Sequence, residues 1–376
     1  MTALRRTQAV VLSVALAVVA PAVPAAAAGP AGWDHPGFDA EDSYYNPGEN
    51  AVNATTIAKL SQRWSVALRK HEGSCGGFGA PVIAGGRVVT TDQLGISAFQ
   101  ALTGAPAWHF NWVDPGDSDT AVLAASGNTM IATNGDCNSN SDPDGTLVAL
   151  DLATGKRRWW VDSDMPIYTV VVDKGMIVVS GESPSDAQAV VAYRVSDGKQ
   201  AWKRVDYEGS SVCADGRVLV NKGTTTSALS ITTGALLWTK PGYWQAKAAT
   251  PAADRFLVTN GAAMSAINAA NGAVMWTAPN KASDLLATDG RRIYRVDDHT
   301  VEALDVNSGR SLWSRGLPSE GGQPVRAGGL LYTGGPVLSP TSGAIVAQAK
   351  VLTGRPVITG GRLYTVNDGM LSNLAP

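Results

Sequence analysis

The sequence predicts an all-β fold, an eight-bladed β-propeller of four-stranded antiparallel blades whose last blade is closed by an N-terminal strand. One observation is a motif of Ala, then Gly six residues later, then Trp four residues after that, which occurs six times in the 376 residues. The second is that the segments between the motifs consist of short β-branched runs bounded by Gly, Asp and Asn and show no helical periodicity. A repeat of about 40 residues with four strands per unit is typical of a propeller blade.

The six motifs keep both spacings without a shift. They are Ala98, Gly104 and Trp108; Ala149, Gly155 and Trp159; Ala192, Gly198 and Trp202; Ala228, Gly234 and Trp238; Ala266, Gly272 and Trp276; and Ala303, Gly309 and Trp313. A seventh copy keeps Gly343 but has Ala347 where Trp is expected. In the first unit the four strands are predicted over residues 81–83, 87–90, 96–102 and 107–110.

Each motif residue has an expected packing role. The small Ala of the third strand lets the neighbouring sheet approach, and the Gly allows φ > 0 in the turn to the fourth strand. The Trp of the fourth strand is expected to cover that turn and to bury about 200 Å² at the blade boundary. The blade tryptophans are therefore interpreted as structural, and they are Trp64, Trp108, Trp159, Trp202, Trp238, Trp276 and Trp313.

The N-terminal 28 residues are typical of a secretory signal peptide. Arg5 and Arg6 precede an apolar run over residues 10–20, and Ala26 to Ala28 offer a small-residue cleavage site. Cleavage near Ala28 predicts a secreted protein of the extracellular space or cell envelope. The alternatives are the twin-arginine export route and an uncleaved signal anchor. Residues 29–58 are then expected to form a polar strap along the outside of the fold, and residues 59–376 the propeller.

The two ends of the predicted propeller complement each other. Residues 60–66 resemble the last strand of a unit that lacks its other strands, whereas three strands near residues 356–359, 362–366 and 370–374 lack a fourth. Because pairing them would leave the ring without an open edge, eight blades are predicted. The alternative is seven blades with an added end.

Charge argues against some partners. The net charge is −2 and charged residues make up 16% of the chain, so it lacks the basic surface that nucleic acid or an anionic membrane selects. No run of eighteen apolar residues follows the signal segment. We therefore expect a monomer with no nucleic-acid partner and no stable membrane anchor.

Three segments carry a family resemblance: LVALDLATGKRRWW (147–160), EALDVNSGRSLW (302–313) and SAINAANGAVMW (265–276). They resemble the repeat of the pyrroloquinoline-quinone (PQQ) enzymes, and the resemblance covers about residues 60–376. It implies either a quinoprotein dehydrogenase, which uses PQQ with calcium, or a noncatalytic relative such as the outer-membrane assembly lipoprotein. The chain lacks adjacent cysteines, a Cys-x-x-Cys-His motif and an acylated Cys near the cleavage site. The resemblance therefore implies the scaffold, and no cofactor is expected, with PQQ or calcium as the alternative.

A polar loop suggests a calcium hypothesis. Residues 136–145 alternate oxygen-bearing side chains and resemble part of an EF-hand loop, with Asp151 at the twelfth position counted from Asn140. The candidate ligands are Asp136, Asn138, Asn140, Asp142 and Asp144. The alternative is a solvated loop rich in Asx turns, because Asp144 and Gly145 occupy an ordinary turn before a third strand.

The three cysteines suit a secreted protein with one disulfide. Cys75 precedes the first strand of the first unit, and Cys137 lies between the second and third strands of the next. Loops at these two places open on the same face, so a Cys75–Cys137 bridge is predicted. Cys213 is interpreted as a buried thiol in a first strand.

A ligand is expected on the face formed by the loops that lead into first strands and join second to third strands. Trp112, Asp114, Asp117, Tyr243 and Trp244 lie in these loops, and aromatic rings beside carboxylates suit a protein, peptide or glycan ligand. The alternative is packing between long loops. The sequence thus favours a noncatalytic binding or protein-interaction scaffold. The alternatives are a quinoprotein-like or carbohydrate-active enzyme on the same face, and a factor that assembles other envelope proteins.

Overall fold

The computed structural model describes residues 32–281, 285–348 and 355–376, and they form eight four-stranded antiparallel blades. The predicted signal peptide lies outside the described residues. Blade 1 contains β3 (Val82–Ala84), β4 (Arg87–Asp92), β5 (Gly95–Gln100) and β6 (Pro106–Asn111); blade 2 contains β7 (Val122–Ser126), β8 (Thr129–Gly135), β9 (Gly145–Asp151) and β10 (Arg157–Ser163); blade 3 contains β11 (Thr169–Asp173), β12 (Met176–Gly181), β13 (Ala189–Arg194) and β14 (Gln200–Val205).

The remaining blades follow in chain order around the ring. Blade 4 contains β15 (Glu208–Ala214), β16 (Arg217–Lys222), β17 (Thr225–Ser230) and β18 (Leu236–Pro241); blade 5 contains β19 (Gln245–Ala249), β20 (Arg255–Thr259), β21 (Ala263–Asn268) and β22 (Val274–Pro279); blade 6 contains β23 (Leu285–Thr288), β24 (Arg292–Asp297), β25 (Thr300–Asp305) and β26 (Ser311–Gly316). Blade 7 contains β27 (Val325–Ala327), β28 (Leu330–Tyr332), β29 (Pro336–Leu338) and β30 (Ile345–Gln348), and β1 (Tyr45–Asn46) adds to β27 in parallel.

The ring closes as predicted. Blade 8 contains β31 (Val357–Thr359), β32 (Arg362–Asn367) and β33 (Met370–Ala375), and its outer strand is β2 (Ser61–Ala67), antiparallel to β33. Trp64 on β2 stands opposite Asn373, in the register that pairs Trp108 with Ala98 in blade 1. The count of eight blades is confirmed. Two short 3-10 turns, Ile57–Lys59 and Pro115–Asp117, complete the described elements.

The motif Trp covers the glycine turn of the following blade, which corrects the expectation that it covers its own. Each indole Nε1–H donates to a carbonyl of the next blade at 2.8 to 3.3 Å: Trp64 to Ala101, Trp108 to Leu152, Trp159 to Val195, Trp202 to Ile231, Trp238 to Ala269, Trp276 to Val306 and Trp313 to Pro340. A Cβ added to the glycine of that next turn, such as Gly155 against Trp108 at 2.6 Å, would collide with the indole. The contact therefore joins neighbouring blades, whose sheets are separate and not hydrogen-bonded to each other.

The expectation that residues 29–58 run along the outside is wrong for residues 33–46. Residues 33–46, here called the axial strap, lie against the first strands of the blades, in the central channel. Backbone or side-chain hydrogen bonds join Trp33 to Ile83, Asp34 to Ala125, His35 to Val172, Ala40 to Cys213, Glu41 to Ala249, Ser43 to Thr288, Tyr44 to Arg326 and Asn46 to Ile358. These residues belong to blades 1 to 8 in order. The first strands have a free edge toward the axis, and the strap supplies the hydrogen-bond partners that this edge requires.

Candidate functional site

Blades 1 and 2 form a cavity of about 350 Å³ on the loop face, here called the loop-face pocket. Trp112, Asp114 and Asp117 reach it from the loop between β6 and β7. Asp136 and Asp144 reach it from the loop between β8 and β9, and Trp160 and Asp162 from β10. The structure thus brings together three of the predicted ligand-face residues and two of the predicted calcium ligands.

The aromatic wall of the pocket is a packed cluster. The Phe110 and Trp112 rings meet edge to face at 5.3 Å between centroids, and the Trp112 and Trp160 rings do so at 6.3 Å. The Arg157 guanidinium lies 5.6 Å from the centroid of the Trp160 ring, and the Trp160 indole N–H donates to Asp162. Trp112 is only 6% exposed, so it fixes the wall, whereas the partly buried Trp160 offers the more accessible ring.

Carboxylates form the polar side of the pocket. Asp114 accepts from the backbone N–H of Gly116 at 2.9 Å, and Asp117 accepts from the backbone N–H groups of Cys137 and Asn138 at 2.9 and 2.5 Å. Desolvation opposes the ionised form of Asp117, but these hydrogen bonds outweigh it and lower the pKa. Desolvation and the neighbouring Asp136 raise the pKa of Asp144. Lysine and arginine are missing from the described residues that line the pocket, so it attracts positive charge.

The disulfide supports this side of the face. Cys75 and Cys137, the pair predicted from the sequence, are joined with their Cα atoms 6.5 Å apart. The bridge ties the loop before blade 1 to the loop that carries Asp136. The Cys137 N–H donates to Asp117 and so joins the loop between β6 and β7 to them. Cys213 is a free, buried cysteine on β15, and desolvation is the main cause that raises the pKa of its thiol.

Four of the five predicted calcium ligands make hydrogen bonds within this loop or to neighbouring loops. Asp136 accepts from the N–H of Asp144 at 3.0 Å, Asn138 donates to the Gly116 carbonyl at 2.5 Å, and Asp142 accepts from Ser185. Asn140 is exposed. Within the described part of the chain, no three His, Cys, Asp or Glu side chains form a group that could hold a metal ion. These bonds hold the loop to itself and to its neighbours, and the calcium hypothesis stays a prediction.

Tyr243 and Trp244 lie elsewhere, between blades 4 and 5. Trp244 is 9% exposed and packs in the apolar cluster that contains Trp238, as the packing alternative states. Tyr243 donates its hydroxyl to Glu208 at 2.5 Å. The predicted ligand face is therefore split. Trp160 and Asp162, which do line the loop-face pocket, were missed because Trp160 follows the motif residue Trp159. The alternation of side chains along β10 could have identified Trp160, because it points to the opposite face of the strand from Trp159.

A second cavity, here called the axial cavity, lies in the central channel. Its volume is about 230 Å³. The axial strap contributes His35, Pro36, Asp39, Asp42 and Tyr44, and the first strands of blades 2 to 4 with adjoining loop residues contribute Val122, Ala124, Tyr168, Val170, Val171, Val172 and Ser211. The axial strap thus leaves a space with an acidic floor and an apolar wall.

The chain is similar to proteins of a known repeat family. The family model described as outer membrane protein assembly factor BamB, a PQQ-type repeat, matches residues 19–159, 95–241 and 221–370. This chain belongs to that family. The PQQ-like repeat family also accounts for the motif spacing described above.

Relatives of the chain include quinone-dependent enzymes. The dehydrogenase subunit of alcohol dehydrogenase (quinone) from Gluconacetobacter polyoxogenes is 28% identical over 256 residues, which are 60% of this chain and 32% of that protein. The corresponding subunit from Komagataeibacter europaeus is 28% identical over 258 residues, with the same coverages. The chain spans about a third of the length of these curated relatives.

Solved structures share the propeller fold. Quinohemoprotein alcohol dehydrogenase from Comamonas testosteroni superposes with a TM-score of 0.68 at 13% identity, covering 91% of this chain and 80% of that one. BamB from Moraxella catarrhalis superposes with a TM-score of 0.59 at 17% identity, covering 84% of this chain and 100% of that one. At these identities the likeness concerns the fold alone. The part of the chain described here has no helix long and apolar enough to cross a membrane.

Members of the PQQ-like repeat family that are dehydrogenases use a quinone that carries three carboxylates, so a site for it requires cationic or N–H donors. The loop-face pocket is lined by five aspartates, and the axial cavity by Asp39 and Asp42. The described lining of these cavities includes neither lysine nor arginine. Without a bridging cation, negative charge would face negative charge, so PQQ alone does not fit these two cavities.

Proposed function

We propose that this protein is an exported, noncatalytic binding scaffold of the PQQ-like repeat family, and that its loop-face pocket holds a basic segment of a protein or peptide partner. The observation that carries the proposal is the convergence of five aspartates on one pocket beside the accessible ring of Trp160. An arginine or lysine side chain gains both from the carboxylates and from the face of an indole.

The acidic surface extends beyond the pocket. A neighbouring cavity of about 350 Å³ shares Asp162 and is also lined by Asp164, Asp186 and Lys203. It lies on blades 2 and 3, next to the loop-face pocket on blades 1 and 2, so an extended peptide has more than one anionic contact available. The Cys75–Cys137 bridge holds the adjoining loops and reduces the ordering that binding requires.

The test measures binding of a labelled tri-arginine peptide by fluorescence polarisation, with a tri-glutamate peptide as the negative probe. The Trp160→Ala and Asp162→Asn substitutions should each weaken tri-arginine binding about tenfold or more, and binding should fall steeply with added salt. Asp206→Asn is a matched control. It removes the same charge from an exposed carboxylate paired with Lys222 at 3.1 Å, and it should leave affinity within twofold. Equal binding of both peptides, or equal losses in all variants, contradicts the proposal.

A quinoprotein-like enzyme is the second candidate, favoured by the 28% identity to alcohol dehydrogenase subunits. Adding PQQ and calcium to the purified protein distinguishes the two. A stoichiometric quinone absorbance with dye reduction would support the enzyme and overturn the scaffold, whereas the carboxylate-lined cavities predict neither.

A further inference from the structure

The axial cavity contains a carboxylate that the fold leaves without a hydrogen bond. Asp42 has a positive φ of 52°, which is uncommon outside glycine and which directs its side chain into the channel beside Gly37. Asp42 is partly exposed, and no described residue donates a hydrogen bond to its carboxylate. The neighbouring Asp39 differs, because its two oxygens accept from the N–H and the hydroxyl of Ser43 at 2.9 and 2.7 Å. Asp42 is therefore the acceptor that remains available.

The nearby positive charge belongs to Arg355, which acts on Asp42 through its electrostatic field. Arg355 donates to the Tyr44 hydroxyl at 3.3 Å, and its guanidinium lies 5.8 Å from the centroid of that ring. It borders a separate space of about 210 Å³, which shares Pro36 and Val122 with the axial cavity. Burial raises the pKa of Asp42 to about 7, while Arg355 lowers it and Asp39 raises it. The carboxylate is thus incompletely neutralised, and a cation brought against it would favour its ionised form.

Apart from His35 and Ser211, the rest of the cavity is apolar and aromatic, and the buried Nδ1 of His35 has no hydrogen-bond partner among the described residues. Val122, Val170 and Val172 line the wall opposite the axial strap. Tyr168 is 64% exposed and marks the side on which the cavity opens to solvent. A volume of about 230 Å³ is below the range of cavities that take drug-sized ligands, so the space suits a small molecule.

We propose that the axial cavity binds a small organic cation, a primary ammonium group that carries an apolar chain or ring. The ammonium group donates to Asp42, and the apolar part lies against the valines between Tyr44 and Tyr168. The axial strap is then the floor of a ligand site as well as a support for the ring. The proposal concerns a site distinct from the loop-face pocket and does not depend on the function proposed for that pocket.

The test uses benzylamine as the probe in isothermal titration calorimetry with the full chain. Benzyl alcohol has nearly the same shape without charge, and benzoate carries the opposite charge. Saturable binding of benzylamine is expected, at least tenfold tighter than that of either analogue. Binding should strengthen as the pH rises through about 7, with protons released to the buffer near that pH. Absence of benzylamine binding, or equal binding of benzyl alcohol, overturns the proposal even if no variant is made.

The Asp42→Asn substitution identifies the partner. Asn tolerates positive φ, so the variant keeps the backbone geometry while losing the charge. It should weaken benzylamine at least tenfold and abolish the proton release. Asp206→Asn, which removes the same charge from an exposed carboxylate outside both cavities, should change benzylamine binding by less than twofold. If Asp114→Asn in the loop-face pocket weakens it and Asp42→Asn does not, the amine binds at the loop-face pocket and the axial site is refuted.

Discussion

The blade boundaries and the axial strap stabilise the same ring in different ways. At each of seven boundaries one indole covers one glycine turn, so the same contact is repeated with the same partners. At the axis, residues 33–46 contact all eight blades, each through a different residue. The comparison shows that a repeat fold combines periodic contacts, which a periodic sequence specifies, with a non-periodic segment that only the complete ring can position.

The largest expected effect breaks one periodic contact. Trp238→Ala should lower the free energy of unfolding by about 3–5 kcal/mol, because the indole is 9% exposed and donates to the Ala269 carbonyl of the next blade at 3.0 Å. Urea denaturation measures the change. Leu237→Ala on the same strand is the control, since this side chain is 46% exposed and should cost little. Similar losses in both variants would show that the boundary contact is not special.

The next effect tests the turn beneath that indole. Gly272→Ala should cost about 2–4 kcal/mol, because φ is +68° and the new Cβ would lie 2.7 Å from the Trp238 ring. Gly261→Ala in the same blade shares a positive φ of +82° but meets nothing within 4 Å, so it should cost about 1 kcal/mol. Thermal unfolding of the two variants separates the collision from the backbone strain. Equal costs would contradict the close approach of indole and turn.

A smaller effect tests the axial strap through pH. Burial raises the pKa of Asp42 and of Glu41 to about 7, so above the pKa values of the unfolded chain the native state binds more protons than the unfolded state. The contribution of these two groups to stability should therefore fall as the pH rises from about 4 through about 7. Asp42→Asn should reduce this fall, as measured by urea midpoints across that range. A variant with the slope of the wild type would place the titration elsewhere.

The smallest effect concerns the exception to the repeat. Ala347 stands where the motif has Trp, and the following blade takes its outer strand from β2, so that blade has no turn between its third and fourth strands for an indole to cover. Ala347→Trp should therefore change the free energy of unfolding by less than about 0.5 kcal/mol. Differential scanning calorimetry checks this. A gain of several kcal/mol would mean that the indole stabilises without a glycine turn.

The periodic part of the fold was predictable from the sequence, and the non-periodic axial strap was not. The motif predicted the eight blades and the pairing of β2 with β33, because each copy repeats the same packing problem. It assigned the indole to the wrong turn, since spacing along the chain does not tell which of two adjacent sheets a side chain faces. The position of Trp33 and Asp42 in the channel was not predictable, because no other part of the sequence repeats the strap and its partners exist only in the closed ring.

The candidate site was predicted in part for a similar reason. Trp112, Asp114, Asp117, Asp136 and Asp144 come together because loops into first strands and loops after second strands open on one face. Which neighbouring loops meet depends on blade packing, so Tyr243 and Trp244 were grouped with them although they belong to another boundary. The axial cavity had no local signal, since its floor comes from the axial strap and its wall from three blades.

The axial strap also sets the order in which the protein can mature. It is synthesised before any blade, yet His35 meets a residue 137 positions later and Asn46 one 312 positions later. A chain that emerges from its amino end must therefore keep this segment available until the last blade has formed. Contacts of such long sequence separation slow folding. Completion of the native ring thus waits for the strands of blade 8.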